Sequence, residues 1–242
     1  MTVARFFVEG RHALGDAVTF DAADAHKIIA VLRKHDGDAV EVIDSAAQRF
    51  IAVLKIDGKS AAATLTQLRE TEDAALPRIT VAQGVPKGQK MDFVVEKLTE
   101  LGVASIVPLQ SERAVVSDVG TNKLERWRRL AKTAAQQCGR ADIPPIEEPR
   151  TFTELLQLFK DYDAVLFPWE LADRVALRER LPALVDGRER ILVIIGPEGG
   201  FSHAEAQAAQ EAGAQLISLG TRILRTETAA LVLVSIIAYL MS

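Results

Sequence analysis

Between Ile191 and Ala229 two apolar runs each end in a glycine-marked turn, and no other stretch restricts the fold of this chain as tightly. The first run, Ile191-Leu192-Val193-Ile194-Ile195, is short, rich in β-branched residues and closed by Gly196-Pro197-Glu198-Gly199-Gly200-Phe201-Ser202. Such a run reads as a strand buried on both faces, the kind found in parallel sheets. The second, Leu216-Ile217-Ser218-Leu219-Gly220, leads into Thr221-Arg222-Ile223-Leu224-Arg225-Thr226-Glu227-Thr228-Ala229. Between them Ser202 to Gly213 fits a helix, with Ser202 as N-cap, Glu205 as its capping-box partner and Gly213 past the end. In open α/β sheets ligands sit outside the carboxyl ends of the strands, where loops expose backbone N–H and C=O groups. Both loops are therefore candidates for holding one ligand.

The same pattern extends upstream. Ile79 to Gln83, Ser105 to Leu109 and Ala164 to Pro168 read as further strands. Met91, Val94, Val95, Leu98 and Leu101 mark one face of a helix that stops at Gly102. A long basic helix is expected over Thr121 to Cys138, and Thr151 opens a shorter one. Residues 1 to about 70 differ. Arg5 to Val8, Ala39 to Ile43, Phe50 to Ile56 and Ala62 to Leu68 are strand-like, interrupted by one helix capped by Asp21 with Ala25, Ile28, Ile29 and Leu32 at helical spacing. Several short strands with one helix suggest a compact barrel. The charged, unpatterned stretch Arg69 to Ala75 marks the boundary, dividing the chain into residues 1–72 and 73–242. The final element, Thr226 to Met241, is apolar nearly all round and must be covered on most sides, by its own sheet or by a partner subunit.

Composition narrows the function. No signal-peptide pattern opens the chain, and its longest apolar stretch falls short of a membrane span, so a cytoplasmic protein without membrane contact is expected. A single cysteine, Cys138, excludes an internal disulfide, and the four histidines lack metal-ligand spacing, so no structural metal is expected. The net charge of −4 argues against nonspecific coating of nucleic acid. Yet from Arg113 to Arg140 there are seven cations, Arg113, Lys123, Arg126, Arg128, Arg129, Lys132 and Arg140, against Asp118 and Glu125. Such a patch can engage phosphates, or can be a solvated helix face. Arg33 and Lys34 form a smaller basic cluster that suits either RNA or the carboxyl end of a helix.

The glycine loop is neither a P-loop nor a dinucleotide fingerprint, and no nucleophile elbow occurs, which disfavours phosphate cradling and hydrolase chemistry. A plain turn remains open for it, and so does close backbone approach to adenine or ribose.

Taken together, the Gly196–Ser202 loop and the Leu219–Ala229 loop resemble the paired signature of the 16S ribosomal RNA uracil-N3 methyltransferases of the SPOUT superfamily. The resemblance runs along the chain through Arg5-Phe6-Phe7, His26, Val31-Leu32-Arg33, Lys87, Lys90, Glu96-Lys97, Glu100-Leu101-Gly102, Ser111-Glu112-Arg113, Gln136-Gln137 and Arg140. Cys138-Gly139 and Thr221 depart from the pattern without removing a charge. The resemblance implies an α/β domain with a deep trefoil knot and a mostly parallel sheet, preceded by a small PUA-like β-barrel that helps hold RNA. It also implies a homodimer, with 16S rRNA or the small ribosomal subunit as partner and S-adenosylmethionine as cofactor. The implied cofactor contacts are Gly196, Pro197, Glu198, Gly199 and Gly200 from the first loop. From the second come Leu219, Gly220, Ile223, Leu224, Arg225 and Thr228, and Phe167 and Pro168 complete the pocket. Arg113, Arg140, Arg225 and Glu227 are the implied catalytic residues, with Glu198 or Glu227 as the proton acceptor or orienting carboxylate. RNA contacts are expected at Arg5, Arg33, Lys34, Lys87, Arg113, Arg128, Lys132 and Arg140. Two other readings fit the same residues: a SPOUT methyltransferase of another RNA or atom, and a ribosome-assembly RNA-binding protein without activity. Aspartate at Val234 and Ile237 is the natural disruption of a dimer formed by the terminal helix.

Overall fold

The computed structural model describes residues 3–69, 77–114, 119–172 and 177–241. Of the stretch Arg69 to Ala75, read as the domain boundary, all but Arg69 lies outside them, as does Asp118 of the basic patch. The chain divides into one unit of Met1–Asp73 with Ala135–Asp142 and another of Ala74–Ala134 with Ile143–Ser242.

The smaller unit is built on β1 (Arg5–Phe7), β2 (Ala17–Thr19), β3 (Ala39–Ile43), β4 (Arg49–Asp57) and β5 (Ser60–Arg69). Their order is β1-β3-β4-β5-β2, a curled half-barrel with β1 and β2 at its edges. Phe50, Ala52 and Leu54 on β4 and Ala61, Ala63 and Leu65 on β5 share one face with period two and pack with Phe6 and Ile28. β2, three residues long, was not legible as a strand. Helix α1 (Ala22–His26) is capped by Asp21, whose carboxylate accepts from the Asp24 N–H at 2.7 Å. It then widens into a π-helical turn, Lys27–Val31, in which the Leu32 N–H donates to the Lys27 carbonyl at 2.9 Å. The wider turn rotates the apolar face. Ile28 stays buried, whereas Leu32, expected on the same face, is 39% exposed.

The larger unit contains β6 (Arg78–Gly84), β7 (Ser105–Gln110), β8 (Arg150–Thr151), β9 (Ala164–Pro168), β10 (Arg190–Ile195) and β11 (Gln215–Ile217). They form one sheet, β11-β9-β10-β6-β7-β8, parallel at every pairing. Its helices are α2 (Lys90–Glu100), α3 (Thr121–Cys138, its last turn from Ala135 counted with the smaller unit), α4 (Phe152–Leu156), α5 (Leu177–Val185), α6 (His203–Glu211) and α7 (Thr226–Met241). Ile191, Val193 and Ile195 of β10 face a core shared with α2, α3, α5 and α7, while Leu192 and Ile194 face one shared with α4 and α6. A continuous apolar strand needs this cover on both faces. β8, with two residues, and α5, interrupted by Pro182, carry too little periodicity to be read in advance.

Among the described residues no helix is long and apolar enough to cross a membrane. Helix α7 packs on α2, α5, β6 and β10, and Ala230, Leu233, Val234 and Ile237 are fully buried there. Leu231, Ile236 and Met241 are partly covered by the same core, whereas Tyr239 is 80% exposed. Val234 and Ile237 are thus core residues rather than an outer face, and aspartate at either would unfold the subunit before it could report on a dimer. We expect Ile237→Ala to cost about 2–5 kcal/mol in urea unfolding. Ser235→Ala, on the exposed side of the same helix, should stay within about 0.5 kcal/mol. A loss below about 1 kcal/mol at Ile237 would contradict the docking of α7 on α2, α5, β6 and β10.

Candidate active site

β9 lies between β10 and β11 and pairs parallel with both, so the loops after all three leave at one edge. Pro168-Trp169-Glu170 after β9, Gly196 to Phe201 after β10 and Ser218 to Leu224 after β11 enclose a cleft of about 520 Å³. Small-molecule pockets span about 300–1,000 Å³, so this one has room for a nucleoside-sized ligand. Gly200, at φ +65°, and Gly220, at φ +116°, occupy the left-handed region that a side chain would strain. The Gly200 N–H donates to the Pro197 carbonyl at 2.9 Å and closes the first turn.

The start of α6 anchors this turn. The Ser202 hydroxyl accepts from the Glu205 N–H at 3.2 Å, and the Glu205 carboxylate accepts from the Ser202 N–H at 2.8 Å, the capping box expected from the spacing. The other Glu205 oxygen accepts from the Glu112 N–H at 2.8 Å, which ties the loop after β7 to the same point. Arg113 follows in that loop, and a Cβ added at Gly199 would stand 3.0 Å from the Arg113 carbonyl oxygen. The close approach that Gly199 permits here is to protein backbone.

A second set of contacts comes from β6. A Cβ at Gly84 would stand 2.4 Å from the Pro197 nitrogen, so the strand end and the glycine loop touch through backbone alone. Beside it the buried Gln83 Nε2 donates to the Thr226 hydroxyl at 2.7 Å, and that hydroxyl donates to the Gly196 carbonyl at 2.5 Å. Glu198 accepts from the Lys87 N–H at 3.1 Å and from Lys90 Nζ at 2.9 Å. Lys90 Nζ also lies 3.9 Å from Glu227 Oε2, a buried oxygen without a hydrogen bond. Burial alone would push the Glu198 carboxyl up. The bond from Lys90 and the N–H bonds of Glu198 and Lys87 outweigh it and hold the group below the ordinary carboxylate range.

Of the residues implied as cofactor contacts, Pro168, Gly196, Pro197, Glu198, Gly199, Gly200, Leu219, Gly220, Ile223 and Leu224 line the cleft. Phe167, Arg225 and Thr228 are not among its lining residues. Phe167 is fully buried, its ring 4.4 Å from that of Phe201 and 6.3 Å from that of Phe152. Trp169, Glu170, Ser218 and Arg222 line it too and were missed. They sit directly after the ends of β9 and β11, so the rule that ligands lie beyond strand carboxyl ends could have included them.

The cations are more occupied than their count suggested. Arg126 pairs with Asp92, which also accepts from the Trp127 indole N–H at 3.2 Å. Arg128 donates to Glu148 at 2.9 Å and to the Ile146 carbonyl at 3.2 Å. Arg140, in the smaller unit, makes a two-pronged bond to Asp142 at 3.0 and 2.9 Å. Arg5 is 12% exposed and bound to the buried Glu41 at 2.6 Å. Arg113, Arg33 and Lys87 are exposed, and Lys34 and Lys132 are half-buried. We expect Gly84→Ala to displace the glycine loop and cost about 1–3 kcal/mol of stability. Gly120→Ala, with open space around its Cβ position, should be neutral in the same unfolding measurement.

Residues 72–238 match a family model described as an RNA methyltransferase domain. Over 245 residues the chain is 31% identical to the ribosomal RNA small subunit methyltransferase E of Bacillus subtilis, covering 97% of this chain and 96% of that protein. Among solved structures it is similar to a ribosomal RNA small subunit methyltransferase E from Neisseria gonorrhoeae bound to S-adenosyl methionine. The TM-score there is 0.86 at 29% identity, covering 99% of this chain and 98% of the other. It is likewise similar to a putative methyltransferase from Legionella pneumophila with bound SAM, with a TM-score of 0.86 at 27% identity over 98% and 97% of the two chains. A parallel sheet with its cleft at the carboxyl edge, matched over nearly its whole length by these proteins, belongs to the RNA methyltransferase domain family and, within it, to the ribosomal RNA small subunit methyltransferases E.

Proposed function

We propose that this chain methylates N3 of one uridine in the 16S rRNA of the small ribosomal subunit, giving 3-methyluridine, with S-adenosylmethionine as methyl donor. The observation that carries the reading is the cleft formed by both glycine loops together with the loop after β9. Leu219, Ile223 and Leu224 suit the flat adenine, Glu170 and Glu198 suit the cationic end of the cofactor, and Arg222 suits its carboxylate. When bound, the cofactor supplies an electrophilic methyl group on a sulfonium. The residues of the chain must hold the uridine in line and relieve N3 of its proton, since only then is the nitrogen a nucleophile.

Arg113, exposed and packed through its backbone on the glycine loop, is suited to stabilise the uracil oxygens as charge develops, because its guanidinium presents a fixed fork of donors. Of the two carboxylates, Glu198 is bound by an ammonium and a backbone N–H and is the weaker base. Glu227 keeps an oxygen without a hydrogen bond, and we assign it the role of proton acceptor. Arg225, exposed just before α7, and Arg140 are assigned to the RNA, Arg140 in exchange for Asp142.

The smaller unit, over residues 1–72, is read as a PUA-like domain that holds RNA through Arg33 and Lys34. The trefoil knot is supported by strand order: β11 lies outside β9, on the side away from β10, yet α7 returns to pack on β10 and β6. A homodimer is what the resemblance implies, and we place part of its contact at Tyr239, 80% exposed on α7.

Incubation with S-adenosylmethionine and 30S subunits should yield 3-methyluridine in 16S rRNA by nucleoside mass spectrometry; another modified nucleoside would identify a different RNA methyltransferase. Arg113→Ala should lower turnover about 100-fold, within the range for loss of a donor to developing charge, while cofactor affinity stays nearly unchanged. Loss of cofactor binding with normal RNA binding would reverse the roles assigned. Light scattering should find a dimer at micromolar concentration that Tyr239→Asp weakens, and a fully active wild-type monomer would rule the dimer out.

A further inference from the structure

We propose that Gln83 to Lys90, a segment that lines no part of the cleft, positions both cofactor loops, and that Lys90 is the positioning residue that couples them. The proposal rests on the cofactor reading above.

The two loops follow β10 and β11, which are not sheet neighbours because β9 lies between them. Their relative placement therefore needs contacts from outside the β9–β11 group, and the connection from β6 to α2 supplies them. Gln83 reaches Thr226, the first residue of α7 directly after the second loop, and Thr226 reaches the first loop at Gly196. Gly84 lies against the Gly196-Pro197 backbone, and the Lys87 N–H binds Glu198. Lys90 then acts on both at once. Its ammonium is 2.9 Å from Glu198 Oε1, in the first loop, and 3.9 Å from Glu227 Oε2, just after the second.

Charge explains why this lysine matters. Glu227 Oε2 is buried without a hydrogen bond, and among the described residues Lys90 is the cation within ion-pair distance of it. Without the ammonium, two carboxylates converging on one point repel each other and push the loops apart. The side chains of Lys90, Glu198 and Glu227 are 37%, 30% and 15% exposed, so solvent screens the group partly and the effect is a matter of several-fold.

The test is calorimetric titration of the full-length protein with S-adenosylmethionine. Lys90→Met should weaken binding about five- to tenfold. Lys90→Arg, which keeps the charge, should recover most of it. Adding Glu227→Gln to Lys90→Met should also restore affinity, because it removes one of the two repelling charges. A lysine that merely supports the fold would give additive losses and no such rescue. Lys90→Gln, closer in shape and polarity, replaces Lys90→Met if that variant fails to fold. Wild-type affinity in a folded Lys90→Met or Lys90→Gln protein, or strictly additive losses, would overturn this proposal alone. A wild-type protein that binds no S-adenosylmethionine would overturn the cofactor reading, and this proposal with it.

Discussion

Across β10 and β9 Val193 pairs with Leu166, and across β9 and β11 Phe167 pairs with Leu216, with all three strands parallel. Parallel strands deliver their following loops to one edge, so this pairing brings Trp169, Gly199 and Gly220 around one cleft although they are far apart in sequence. The register also fixes the faces. Ile191, Val193 and Ile195 meet α2 and α7, while Leu192 and Ile194 meet the aromatic cluster of Phe152, Phe167 and Phe201. A slip of one residue would exchange these faces and bury each set against the wrong helices.

The loops are held mainly by what glycine leaves out and by buried polar groups that answer one another. Gly84 and Gly199 each mark a point where two backbones meet at a distance that a Cβ would forbid, one against Pro197 and one against Arg113. Glu205 caps α6 with one oxygen and accepts from the Glu112 N–H with the other. Thr226 accepts from Gln83 and donates to Gly196. Such bonds gain strength away from water, and losing one partner leaves the other unsatisfied, so the site is rigid where these contacts are dense.

Electrostatics follows the same logic at longer range. The excess of cations between Arg113 and Arg140 is reduced by Asp92, Glu148 and Asp142, none of which was counted against it. Arg5 is likewise absorbed by Glu41, buried on the neighbouring strand. Of the cations expected at RNA, Arg113, Arg33 and Lys87 are exposed and Lys34 is half-buried.

Local order was legible in the chain because local interactions determine it. Ser202 with Glu205, Thr151 with Glu154, and Asp21 by itself cap their helices at the spacing that geometry demands, and Gly102 and Gly213 adopt the positive φ of residues past a helix end. The apolar run of β10 announced a strand covered on both faces, and the glycines after β10 and β11 announced two loops at its carboxyl edge. Other features depended on partners remote in sequence. The π-turn at Lys27–Val31 moved Leu32 out of the core, the mutual approach of Gly84 and Pro197 shaped the first loop, and Lys90 took its place between Glu198 and Glu227. Apart from β2, β8 and α5, the sequence alone determined which segments become helix, strand and loop, because caps, periodicity and glycine act within a few residues. Which loops share a cleft, which charges are neutralised and which apolar residues of α7 face inward were decided only by tertiary structure, because those outcomes depend on atoms that folding brings together from distant parts of the chain.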